Sequence, residues 1–123
     1  MKSKIDVETI MRKMRDHPDS GNMGMIACHL GIVRGTSRRG EKVDAVEVSY
    51  DFDALNEIRQ NIKSLQGIVE VLIEVNEGLL HIGEEILFVA VGGDIRENVF
   101  AALIDAVDQI KKKSSKKKEI FTN

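Results

Sequence analysis

The chain has 123 residues, 42% hydrophobic and 31% charged, which suits one compact soluble domain over residues 1–123 and leaves little room for a second core. Its longest apolar run, residues 86–91, is far shorter than the ~20 residues that cross a bilayer, and no apolar signal segment opens the chain. A cytoplasmic address with no membrane contact is therefore expected. The net charge of −2 hides an asymmetry: residues 111–119, KKKSSKKKE, carry +5, so the rest carries −7 and should repel nucleic acid.

The first predicted element is a helix over 6–16, where Val7, Ile10, Met11 and Met14 recur at helical spacing, Asp6 can cap the start and Pro18 forbids continuation. Two strands follow, within 23–34 and over 43–50, separated by the basic, glycine-rich RGTSRRGEK. In the second, Val46, Val48 and Tyr50 alternate with Glu47 and Ser49. Cys28 is the only cysteine, which excludes an internal disulfide and a cysteine zinc cluster. His17, His29 and His81 lie too far apart for a recognised ligand spacing, so no metal or other cofactor is expected. Cys28 and His29 point to opposite faces of their strand and cannot form a dyad, and Cys28 is expected in the core.

Asp53 is expected to begin a second helix, with Leu55, Ile58, Ile62 and Leu65 on its buried stripe and Gly67 as its stop. A strand over 68–75 should turn Val69, Val71, Ile73 and Val75 inward, and the apolar strand 85–91 should be central. Asp94 and Glu97 suggest a capping box for a last helix that buries Val99, Phe100, Leu103, Val107 and Ile110 and delivers the lysine run as a basic tail over 111–123. Lysines complement the carboxyl end of a helix, which accounts for one or two of them but not six. The expected order is αββαββα, an α+β domain with a mainly antiparallel sheet.

Several segments, in this order, resemble the large, catalytic subunit of molybdopterin synthase. Residues 24–34, GMIACHLGIVR, are similar to that family's strand ending in Gly-x-Val-Arg, and residues 79–91, LLHIGEEILFVAV, to its Leu-x-Val-Gly-Glu hairpin and strand. Residues 46–54 look like its strand leading through a tyrosine into the second helix. Arg96 to Phe100 resembles its Arg-x-x-x-Phe helix start, and Asp105 to Glu119 has the spacing of its Asp-x-x-Lys and Lys-x-Glu. The resemblance spans nearly the whole chain.

It implies an α/β hammerhead fold, a homodimer, and a heterotetramer with a small ubiquitin-like sulfur carrier. The implied reaction transfers sulfur from the carrier's carboxyl-terminal thiocarboxylate to cyclic pyranopterin monophosphate, forming the dithiolene of molybdopterin. Lys111 matches the family's first active-site lysine, and the second falls on Lys118 by count or on Lys117 by its Lys-x-Glu context. Such chemistry needs cations for a phosphate and an oxyanion, which Arg34, Arg38, Arg39 and Arg96 can supply. Each has a plainer reading: the lysines as a solvated tail, Arg34 as a surface residue, Arg96 as an ordinary first-turn arginine. The chain also departs from the family. Ile95 and Val75-Asn76 stand where the family has a histidine and a His-Arg pair, Ser115 and lysines replace its Pro-x-Trp, and the family's longer tail is missing after Asn123. A second expectation is therefore a non-catalytic module that binds a ubiquitin-like or other acidic partner.

Overall fold

The computed structural model describes residues 5–122. The ends of the expected domain, residues 1–4 and Asn123, lie outside the described residues. Helix α1 (Val7–Arg15) is capped by Asp6, whose carboxylate accepts from the Thr9 N–H at 3.1 Å, and it buries Ile10 and Met14. Strands β1 (Met25–Ile32) and β2 (Val43–Tyr50) follow, then α2 (Phe52–Lys63), β3 (Ile68–Val75), β4 (Gly78–His81), β5 (Glu85–Gly93), α3 (Arg96–Gln109), a π-helical turn (Ile110–Ser114) and β6 (Ser115–Phe121). None of these helices is long and apolar enough to cross a membrane.

The strands form two antiparallel three-stranded sheets, ordered β1-β5-β3 and β4-β2-β6. This bears out the α+β class and the central place of β5. The apolar run of β5 follows from burial on both faces. Leu87, Val89 and Val91 pack on α2 and α3, while Phe88 and Ala90 pack on Ile10 and Met14 of α1. Strand β3 is covered on both sides as well: Val71, Ile73 and Val75 face the larger core, and Leu72 faces α1. The second sheet has its own core of Val33, Val43, Val46, Val48 and Leu80, and Tyr50 and Ile86 touch both cores where the sheets meet.

Several local expectations are corrected. Two strands join the order αββαββα: the short β4, and β6, which takes up the lysine run from Ser115 onward in place of a tail. The basic loop joins β1 and β2 as expected, and carries the chain from one sheet to the other. Asp51, not Asp53, caps α2, accepting from the Ala54 N–H at 3.1 Å. That helix ends at Lys63, leaving Leu65 exposed, and Gly67 serves the next turn with φ of +79°. A side chain at Gly67 would collide with the Asp94 carboxylate, so glycine is required there twice over. Asp94 does not cap α3. Its carboxylate accepts from the Ile95 N–H at 2.6 Å and the Asn98 amide at 3.0 Å, and Glu97 pairs with Arg96, so the capping box does not form. Phe100 is 51% exposed, because the small Ala102 and Ala106 let α3 lie close to the sheet on the stripe that includes Val99 and Ile110. Cys28 is exposed rather than core, with its thiol 3.6 Å from the Met11 sulfur.

Candidate functional site

Two elements that the sequence separates by 70 residues and more build one cavity. The first is the loop after β1. Ser37, itself buried, accepts at its hydroxyl from the Arg39 and Glu41 N–H groups at 3.3 and 3.2 Å, and Thr36 bridges to Lys42 across the loop base. Arg34 donates from Nε to the Thr36 carbonyl at 2.9 Å, which fixes the guanidinium at the root of the loop. A run of polar and glycine residues that reads as flexible is thus a hydrogen-bonded turn.

The second element is the end of α3. Ile110 is fully buried and anchors the π-helical turn, while the Ser114 hydroxyl donates to the Ile110 carbonyl at 2.7 Å and the Ser114 carbonyl accepts from the Asp51 N–H at 2.8 Å. Lys111, the next residue, is therefore rooted in the core although its side chain is exposed. Strand β6 runs back along β2, and the register Val48↔Lys117 and Val46↔Glu119 sets Lys117 and Glu119 on the same face as two core valines. Lys118 pairs with Glu47 on the opposite face.

Among the described residues the cavity, about 770 Å³, is bordered by Arg34, Arg38, Arg39, Lys111 and Lys117, against two carboxylates, Glu41 and Glu119. A second cavity of about 470 Å³ adjoins it, sharing Ile32, Arg38, Lys111 and Lys117 and adding His29 and Tyr50. Its floor is apolar, formed by residues such as Ile86, Leu87 and Ile110. Burial, with Glu77 as a lesser cause, pushes the Tyr50 hydroxyl up to about 12, so it stays protonated and can donate a hydrogen bond. Burial, then the Lys111 charge, lowers the His29 imidazole below its ordinary value, which keeps it neutral near pH 7.

Five of the seven expected site residues thus converge: Arg34, Arg38, Arg39, Lys111 and Lys117. Two do not. Lys118 lines a separate groove with Lys116, Glu47 and Glu77. The Arg96 side chain is 79% exposed, pairs with Glu97 at 3.2 Å, and sits at the opposite end of α3 from Lys111, about 21 Å away at 1.5 Å per residue over its 14 residues. His29 and Tyr50 were missed as members of the site. Alternation along β1 was the available signal, because it sends His29 to the face away from Cys28 and α1. What it could not reveal was that Lys111 lies on that side.

The chain is similar to known proteins along nearly all its length. The family model described as MoaE protein matches residues 1–113. An uncharacterized protein of Methanocaldococcus jannaschii is 31% identical over 96 residues, covering 75% of this chain and 81% of that protein. Among solved structures, molybdopterin synthase from Staphylococcus aureus superposes with a TM-score of 0.78 at 23% identity, covering 97% of this chain and 87% of the other. Molybdopterin cofactor biosynthesis protein E from Burkholderia multivorans gives 0.76 at 25% identity, with 98% and 84% covered. One chain of a complex of subunits 1 and 2 of the molybdopterin-converting factor from Helicobacter pylori gives 0.70 at 16% identity, with 97% and 85% covered. By the family match, which spans most of its length, the chain belongs to the MoaE protein family, the one its ordered motifs resemble.

Proposed function

We propose that this protein works in molybdenum cofactor biosynthesis as the sulfur-transferring subunit of a molybdopterin synthase, acting as a homodimer with a small ubiquitin-like carrier. Family membership supports the pathway, and the Helicobacter pylori complex supports a small-subunit partner. The observation that carries the reaction is the convergence of five cations from the β1–β2 loop, the end of α3 and β6 on one cavity with an apolar neighbour.

In this reading, Arg34, Arg38 and Arg39 hold the phosphate of cyclic pyranopterin monophosphate, as forked donors suited to phosphate oxygens. Lys111 and Lys117 flank the incoming thiocarboxylate, balance its charge and stabilise the oxyanion that forms when its acyl carbon is attacked. The second cavity, with its apolar floor, takes the carrier's glycine-ended tail. Lys118 and Arg96 take no part in this cavity within one chain.

The test is formation of molybdopterin from cyclic pyranopterin monophosphate and a thiocarboxylated small subunit. Turnover by the wild type, cut about 100-fold or more in Lys111→Ala with partner binding retained, is the expected result. A wild type that binds the partner but makes no molybdopterin would overturn the proposal in favour of a binding module. That second reading draws on Ile95, an exposed aliphatic residue where the family has a histidine.

A further inference from the structure

The lysines and arginines of the cavity are suited to holding anions, a role distinct from that of a proton acceptor. Sulfur transfer from a thiocarboxylate requires one. Once the carrier's sulfur has displaced an oxygen substituent from a carbon of the pterin substrate, that oxygen leaving with the bonding electron pair and taking up a proton, the sulfur still bonds the carrier's acyl carbon, and that thioester must be opened by water. The water loses a proton as its oxygen adds to the acyl carbon. The carbon–sulfur bond then breaks, sulfur leaves with the electron pair as a thiolate on the substrate, and the carrier departs as a carboxylic acid that ionises. No oxidant or reductant is involved.

We propose that His29 is the general base of this step, accepting at its imidazole the proton of the attacking water. The inference rests on the function proposed above and deepens it. Three observations support it. His29 lines the second cavity together with Lys111, Lys117 and Tyr50, so it shares with those lysines the space assigned to the carrier tail. Its Nε2 lies over Gly31, 3.5 Å from where a Cβ would stand, so the absence of a side chain at position 31 leaves that nitrogen open to the cavity. No residue of the cavity competes for the role. The other charged and titratable groups lining this cavity are Lys111 after α3, Lys117 on β6, Arg38 on the loop and Tyr50 on β2, of which Lys111 acts on the imidazole, and among the described residues no carboxylate borders it. Glu41 and Glu119 border the neighbouring one. Half-buried and, to a lesser degree, beside the Lys111 charge, the imidazole is held in the neutral form that a base needs. Cys28 is on the other face of β1, beside Met11, and plays no part.

The experiment compares wild type, His29→Phe, His29→Gln and Gly31→Ala in the assay with thiocarboxylated carrier, following molybdopterin formation across pH and the carrier by intact mass. Loss of the base should lower kcat about 100-fold in both His29 variants, the low end of the usual range for general bases, with KM for the carrier changed less than threefold. The carrier–substrate thioester should then accumulate as a new mass. The wild-type rate should rise with pH through a group titrating below the ordinary histidine value and level off, and that rise should vanish in His29→Gln. Gly31→Ala meets only ordinary contacts, keeps the histidine and should slow turnover by shielding Nε2. Wild-type rates and an unchanged pH profile in the His29 variants would overturn the inference while leaving the Lys111-dependent reaction standing. An inactive wild type would remove both.

Discussion

The two sheets of this domain are built alike, three antiparallel strands each, yet they are covered differently. The β1-β5-β3 sheet is sealed on one face by α2 and α3 and on the other by α1, and Val71, Val89 and Val91 have no exposed surface. The β4-β2-β6 sheet has one small core, and its outer strand β6 is a row of lysines. An edge strand rich in lysine resists pairing with another chain, which is a sufficient structural reason for the lysines to be tolerated there. It does not account for Lys117 facing the same cavity as three arginines of the β1–β2 loop. Burial is concentrated where both faces are covered, and the cations gather where a strand edge is left open against a fixed loop.

Substitutions should expose that division. The largest loss of stability is expected in the sealed half. Ile62→Ala removes a side chain that is 1% exposed between α2 and the sheet, and should cost about 3 kcal/mol in urea denaturation, by the usual range for such truncations. Glu70 comes next. It is buried on β3, accepting from Arg59 at 2.8 Å and from the Val71 N–H at 2.9 Å, with Lys63 at 3.5 Å and His17 at 3.4 Å as charged neighbours. Burial opposes its charge, but the Val71 N–H, Arg59, Lys63 and His17 outweigh that and hold its pKa below the ordinary value of 4.5. The unfolded chain therefore takes up this proton first on acidification. The stability that Glu70 contributes is fully present well above pH 4.5 and is lost as the pH falls through the lower native pKa. Glu70→Gln should cost about 2 kcal/mol at pH 7, shrinking in acid, as read by denaturation at several pH values. In the open half the effects on stability should be small: Lys117→Ala and Lys118→Ala should each stay within about 0.5 kcal/mol of wild type, as expected for exposed side chains.

Much of this was legible in the sequence because periodicity reports burial. The strands β2 and β3 and the interior place of β5 follow from alternation and from an unbroken apolar run, and Asp6 is a cap where a cap was expected. The misses share a cause: signals decided by tertiary contact. Asp94 has the right chemistry for a cap but is turned toward Asn98 and the space that Gly67 leaves open. Phe100 fits a helical stripe by spacing, yet the alanines at 102 and 106 define the stripe that packs. Strand β6 was hidden because lysine is a poor strand former and looks like a solvated tail unless pairing with β2 is known. The same pairing separates Lys117 from Lys118, a choice that residue counting left open.

That pair gives the most direct test of the central claim, that the loop and β6 build one anion-binding sulfur-transfer cavity. Turnover of cyclic pyranopterin monophosphate with the thiocarboxylated carrier should be compared in Lys117→Ala and Lys118→Ala, two neighbours of equal charge on opposite faces of one strand. The account predicts a loss of tenfold or more for Lys117→Ala, about 1.4 kcal/mol in the barrier, and near wild-type rates for Lys118→Ala. Equal losses, or a loss confined to Lys118→Ala, would contradict it.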